Sequence, residues 1–200
     1  MREDTGGFLI ATSGLHNGGV TVDVRQARSE EYARVGDLLV RAYATLGDRH
    51  EAYIPVLRDV AGRAAAAEVL VATLDGVPMG TVTFVAGPGP QAEGDDPDAA
   101  TIRMLGVAPE GRGKGIGAAL VDACVERARA LGCQRVVLDT RESMRAAHRL
   151  YEKAGFRRAP ELDRHPPEVP DLLLLGYVLE LHDSSVPRSS REPHPSPPHF

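Results

Sequence analysis

The chain has 200 residues, 42% hydrophobic and 26% charged, with 28 acidic against 23 basic side chains and a formal charge of −5. That length suits one domain with terminal trimmings, and the apolar share is enough to build a proper core. The negative balance argues against a general nucleic-acid binder, which carries a basic face, and no apolar run reaches the roughly 18 residues that a membrane span needs. Residues 1–19 are mixed, with Phe8-Leu9-Ile10 their one greasy patch, and are expected to be a flexible segment without a secretory signal. Val20 to Arg25 alternates apolar and polar, the pattern of a half-buried strand. Ser29 offers a cap for a helix to about Leu46, with Tyr32, Val35, Leu38, Leu39 and Ala42 on one face. Tyr53 to Ala67 reads as a second helix, Pro55 being tolerated in its first turn. Glu68 to Leu74 and Val77 to Val85 flank Asp75-Gly76, a dipeptide suited to the positive φ angles of a tight hairpin turn. Gly87 to Asp98 is a loop rich in Gly, Pro and Asp, and Thr101 to Val107 is the next strand.

Gly117 to Leu131 comes next as a helix with Leu120, Val121, Cys124, Val125, Ala128 and Leu131 in one stripe, stopped by Gly132. Arg135 to Thr140 is a strand. Ser143 to Ala154 is a helix with Met144, Ala147, Leu150 and Ala154 inward, closed by Gly155 with Phe156 packing behind. A short strand is expected near Phe156 to Ala159, and Asp171 to Leu181 supplies the last one. The order is β-α-α-β-β-β-α-β-α-β-β. It describes an α/β fold with a mixed, mostly antiparallel sheet, flanked by helices and crossing over through a right-handed βαβ unit. Residues 183–200 are so dense in Pro and Ser that a disordered tail is expected, which leaves 20–182 as the domain. Cys124 and Cys133 form neither a C-x-x-C pair nor a Cys/His cluster; a reducing, cytoplasmic setting fits and no metal site is suggested.

The chemistry concentrates between strand and helix, in Val107-Ala108-Pro109-Glu110-Gly111-Arg112-Gly113-Lys114-Gly115-Ile116-Gly117-Ala118. A glycine-dense, basic bend lets backbone amides converge on one anion, and the first amides of the adjoining helix add to that positive pole. A phosphate-bearing ligand is the expectation. The Walker A pattern fails, because Gly113-Lys114 is succeeded by Gly115 and not Ser or Thr. The dinucleotide pattern G-x-G-x-x-[GA] matches at Gly113, Gly115 and Ala118, with Asp139 placed for a ribose contact, although the Pro109-Glu110-Gly111 spacer separates strand from fingerprint. A third pattern, R-x-x-G-x-[GA], is read at Arg112-Gly113-Lys114-Gly115-Ile116-Gly117.

That third pattern resembles the pyrophosphate loop of the GNAT superfamily of N-acetyltransferases. Ile102 to Pro109 is similar to the strand before that loop. Ala147-His148-Arg149-Leu150-Tyr151-Glu152-Lys153-Ala154-Gly155-Phe156 is similar to the family's A-x-x-L-Y-x-x-x-G-F signature. The resemblance covers roughly residues 20–182 and implies the same mixed sheet. It also implies transfer of an acetyl group from acetyl-CoA to a primary amine of a small molecule or peptide by direct attack, without a metal. A non-catalytic acyl-CoA-binding module of the same fold is the alternative; neither nucleic acid nor membrane is an expected partner, and the unit is a monomer or a homodimer.

The resemblance implies that amides from Gly113 through Lys114, Gly115, Ile116, Gly117 and Ala118 hold the diphosphate, with Arg112 and Lys114 neutralising charge. It implies that Leu105, Gly106 and Val107, on a strand splayed from its neighbour, bind the pantetheine arm. An amide near Leu105 polarises the thioester, and Tyr151 protonates the departing thiolate. Gly106 marks a bulge or a close backbone approach. Glu142, Asp139, His148 and Glu110 are candidates for the base. Many family members carry an asparagine where this chain has Asp139-Thr140-Arg141. The acceptor site is expected among Tyr43 to Tyr53, Gly87 to Asp98 and Arg157 to Pro170. The acidic run Glu93 to Asp98 there is either a lure for a cationic amine or a solvated loop.

Overall fold

Alternation along the first predicted strand buries Val22 and Val24, and the computed structural model of the protein, which describes residues 21–44, 51, 53–92, 94–166 and 169–181, extends this strand, β1, over Val22–Gln26. The expected flexible N-terminal segment and the Pro/Ser-rich tail lie outside the described residues. After β1 come α1 (Tyr32–Tyr43), α2 (Ile54–Arg58), α3 (Val60–Ala64), β2 (Glu68–Leu74), β3 (Val77–Ala86), β4 (Ala99–Val107), α4 (Ile116–Ala130), β5 (Arg135–Arg141), α5 (Arg145–Lys153), β6 (Arg157–Arg158) and β7 (Leu174–Glu180). The predicted order holds, with one addition. The expected second helix is two short ones, broken at Asp59 (ψ 64°), whose carboxylate accepts from the Gly62 amide at 2.9 Å and caps the second piece. Ser29 does not cap α1; it opens a 3-10 turn, Ser29–Glu31, that leads into the helix.

The strands form one seven-stranded sheet in the order β1-β2-β3-β4-β5-β7-β6, in which the β4–β5 pair is parallel and the others are antiparallel. Asp75 (φ 50°) and Gly76 (φ 80°) make the predicted tight turn between β2 and β3. The central strands are covered on both faces. Leu70, Ala72, Val82, Ile102 and Leu138 pack with the apolar stripe of α4, whereas Val69 and Val71 face Val35 of α1 and Val60 of α3. This double burial explains why β2 reads as a continuous apolar run. Two inward assignments change. Leu131 is 46% exposed, because α4 ends before it and Gly132 (φ 76°) turns the chain away. On α5 the fully buried residue is Tyr151, and Ala147, Leu150 and Ala154 lie only partly buried beside it.

Candidate active site

The parallel pair that joins the two halves of the sheet is short. Rungs run from Ala99↔Arg135 to Ile102↔Leu138 and stop, although β4 continues to Val107 and β5 to Arg141. The cause lies in β4. Its register against β3 jumps from Thr83↔Arg103 to Thr81↔Gly106, so Met104 and Leu105 oppose a single residue, and Met104 adopts φ 51°. Such a bulge bends its strand and re-aims the residues beyond it. The expected bulge therefore sits just before Gly106. Gly106 itself serves close approach: a Cβ there would lie 2.5 Å from Leu39 Cδ1 and 3.1 Å from Ala42 Cβ, so α1 rests directly on β4.

The glycine loop stands at the end of β4. A 3-10 turn, Pro109–Gly111, leads to Gly113 (φ 76°) and Gly115 (φ 82°), and Gly115 is the residue before α4. At both glycines a Cβ would meet nothing within 4 Å, so the backbone faces open space. The Ala119 amide bonds the Gly115 carbonyl at 2.9 Å. The amides of Ile116, Gly117 and Ala118 precede it in the first turn, where a helix has no carbonyl of its own to offer them. With the positive end of a 15-residue helix behind them, they form an anion cradle. Gly117 also brings three elements together, since a Cβ there would lie 3.2 Å from Leu150 Cδ2 and 3.7 Å from Val107 Cγ2. Lys114 is exposed beside the cradle. Arg112 is exposed too, and its guanidinium donates to the Ala42 carbonyl at 3.1 Å, which ties the loop to the C-terminal end of α1.

Where β4 and β5 part there is a cavity of about 420 Å³ that opens through the sheet. Tyr151 lines it from the α4–α5 side, and Tyr43 and Tyr53 line it from the α1–α2 side. Met104 and Leu105 of β4 and Asp139, Thr140 and Arg141 of β5 form its edges. Each of the three segments expected around an acceptor contributes, through Tyr43 and Tyr53, Pro90 and Gln91, and Arg164 and Pro166. The acidic loop is otherwise engaged: Asp96 pairs with Arg135 and accepts from the Asp98 amide at 3.0 Å.

Tyr151 is 5% exposed, and its ring packs against Phe156 and Tyr177 with centroids 6.0 and 6.2 Å away. Burial, reinforced by the Asp139 charge, pushes its hydroxyl well above the usual phenol range, so the group is held as a neutral proton donor. Of the four candidate bases, only Asp139 reaches the cavity, and Arg164 Nε donates to its Oδ2 at 2.7 Å. Glu110 is exposed and paired with Arg41 at 2.9 Å; Glu142 is exposed. His148 Nε2 lies 3.0 Å from the Arg141 carbonyl and is occupied in holding the end of β5. Sequence patterns do not single out Arg103 or Arg164, because only the strand register brings them to this wall. Among the described residues, no group of three or more His, Cys, Asp or Glu is placed to hold a metal ion, and no helix is long and apolar enough to cross a membrane.

A family model described as acetyltransferase (GNAT) family matches residues 27–156. Mycothiol acetyltransferase of Thermobispora bispora is 44% identical over 68 residues, which are 34% of this chain and 23% of that protein. The chain thus spans less than a quarter of the length of that curated relative. Among solved structures, yncA from Salmonella typhimurium, solved with its cofactor acetyl-CoA, superposes with a TM-score of 0.60 at 22% identity, covering 84% of this chain and 99% of that one. IAA acetyltransferase from Bacillus cereus gives 0.57 at 22% identity, covering 80% and 99%. At such identities the likeness bears on the fold alone.

Proposed function

Because the chain belongs to the GNAT acetyltransferase family, we propose that residues 20–182 transfer an acetyl group from acetyl-CoA to a primary amine of a small molecule or peptide by direct attack. The observation that carries this reading is the loss of rungs beyond Ile102↔Leu138 at the same end of the sheet as the amide cradle before α4. A diphosphate on the amides of Gly113 to Ala118 leaves the pantetheine arm to run along Leu105, Gly106 and Val107, whose strand has no β5 partner there. Lys114 adds a positive charge at the rim. Acetyl-CoA supplies an acyl carbon activated as a thioester. The Leu105 amide donates to the carbonyl oxygen as charge builds on it, an effect that contributes roughly 3 kcal/mol in comparable sites. Attack by the neutral amine forms the N–C bond and breaks the C–S bond. Tyr151 gives its hydroxyl proton to the departing sulfur, and the new amide sheds one proton into the cavity, where Asp139 offers a carboxylate.

The buried free thiols of Cys124 and Cys133 suit a reducing cytoplasm, and the unit is a monomer or a homodimer. The test is a thermal-shift series with acetyl-CoA, CoA, NAD and NADP, and then free-thiol release over an amine panel. Acetyl-CoA and CoA at about 100 times their dissociation constants stabilise by roughly 2.7 kcal/mol, several degrees in a chain of this size. A shift with NADP and none with CoA overturns the reading. A CoA shift without thiol release from any amine makes the protein an acyl-CoA-binding module instead.

A further inference from the structure

Among the described residues, the acceptor side of the cavity carries more positive than negative side chains. Ile102 and Leu138, the last paired residues, pack into the α4 core, whereas Val137 packs in the cluster on the opposite face with Ala159 and Val178. Strand alternation therefore puts Arg103, Asp139 and Arg141 on the face turned from α4. Arg164 joins them from the segment before β7. Among the described residues that line the cavity, three carry guanidinium groups and one a carboxylate, and that carboxylate already accepts from Arg164. Arg103 donates to the Gln91 carbonyl at 3.2 Å, which anchors its reach from β4. The Arg141 guanidinium makes no hydrogen bond or ion pair among the described residues. Beside these charges the lining is apolar, with Val56, Pro90, Leu172 and Leu174.

Resting on the transferase reading above, we propose that the acceptor is a small amine that also bears a carboxylate and an apolar body, an apolar α-amino acid in chemical class. Arg141 takes the carboxylate. A bare ammonium or a polyamine entering this cavity is repelled by the Arg141 guanidinium. A carboxylate beside the amine cancels that repulsion and gains the planar, two-pronged hydrogen bonding of a guanidinium. The same cation lowers the acceptor's amine pKa, because nearby positive charge disfavours its protonated form. The amine is thereby supplied as the free base that attacks. This assigns the specificity of the site to Arg141, and it removes any need for the acidic run Asp95 to Asp98 to attract substrate.

The experiment measures thiol release from acetyl-CoA with leucine, methionine and phenylalanine, each beside its amide and its decarboxylated amine, with phosphoethanolamine and spermidine as further arms. The amino acids are expected to exceed their amides and amines at least tenfold in kcat/KM. Arg141→Gln is expected to raise KM for the amino acids about tenfold while kcat stays within twofold, shrinking the acid-to-amide ratio to threefold or less, and Arg141→Lys is expected to restore part of it. Equal or faster turnover of the amides, the amines or spermidine overturns the proposal, as does a preference for phosphoethanolamine over every carboxylate. Thiol release from none of them in a protein whose melt CoA raises also overturns it. A protein whose melt CoA does not raise refutes the acetyl-carrier reading first, and the acceptor assignment falls with it.

Discussion

Two glycines in this chain share a backbone conformation and differ only in where they stand. Gly115, before α4, has φ 82°; Gly76, in the β2–β3 turn, has φ 80°; and at both a Cβ would meet nothing within 4 Å. An alanine at either position creates no clash, so its cost in the free protein is the left-handed strain of an L-residue, roughly 1 kcal/mol. In a domain of this size that lowers Tm by about 2–4 °C for each variant. Their effects on CoA must part company. The methyl group of Gly115→Ala stands beside amides assigned to the diphosphate and pushes the anion off the cradle. A loss of at least tenfold in CoA affinity, about 1.4 kcal/mol, is expected. Gly76→Ala, whose added methyl group stands on the β2–β3 turn and meets nothing within 4 Å, should bind CoA as the parent does. Thermal melts give the strain, and equilibrium titration with CoA gives the affinity. If Gly115→Ala binds CoA as tightly as the parent, or if Gly76→Ala weakens it equally, the open backbone before α4 is not a diphosphate site.

Tyr151→Phe keeps the ring packed at a tilt against Phe156 and Tyr177 and should lower kcat by about 100-fold with CoA affinity within twofold; because burial and Asp139 hold the hydroxyl above the usual phenol range, the pH–rate profile should show no alkaline loss traceable to Tyr151 below about pH 10. Met104→Gly should be more stable than Met104→Ala by about 1 kcal/mol in urea unfolding, reversing the usual strand preference, because only glycine relaxes φ 51°. The bidentate hydrogen bonds from Arg25, at 2.6 and 2.7 Å, with the Arg28 amide adding to them, hold the Glu31 carboxyl down at about 2. A lowered folded pKa contributes stability that is complete above the unfolded value near 4.5 and fades as pH falls toward about 2. Glu31→Gln should therefore cost about 1–2 kcal/mol at pH 7, after allowance for solvent screening, and the gap to the parent should close on acidification in melts from pH 7 to pH 2.

What could be read from the residues was what local chemistry decides. Asp75-Gly76 announces positive φ, and Gly132 and Gly155 announce helix ends; the folded chain realises each of them. Asp59 carried a signal too, a capping side chain three residues before Gly62, but the helical run of alanines around it outweighed that signal in a one-dimensional reading. Arg112 has a contact that the sequence does not show. Beside a glycine loop a cation reads as a phosphate ligand, yet a carbonyl 70 residues away in sequence competes for it, and only the packing of α1 on β4 discloses that competitor. The acceptor wall was legible only as three segments. Arg103, Asp139 and Arg141 become one group through the parallel register of β4 with β5, a pairing that no periodicity within either strand specifies.

The least legible feature matters most to the cleft. Nothing in the sequence Thr101 to Val107 asks for a left-handed residue, and methionine is an unfavourable choice for one. The strain at Met104 is offset by its surroundings. Its side chain is 9% exposed and packs with Leu39 of α1 and Leu57 of α2, so the helices that cover the sheet hold the bulge in place. Two residues later Gly106 lets α1 close onto the same strand, which it could not do around a larger side chain. The bend that parts β4 from β5 is therefore a product of the α1–α2 layer rather than of β4 alone. Helices α1 and α2 also deliver Tyr43 and Tyr53 to the cavity. One packing arrangement thus opens the sheet and walls the opening, which couples the shape of the cavity to the strand proposed to present its amides to the acetyl carrier.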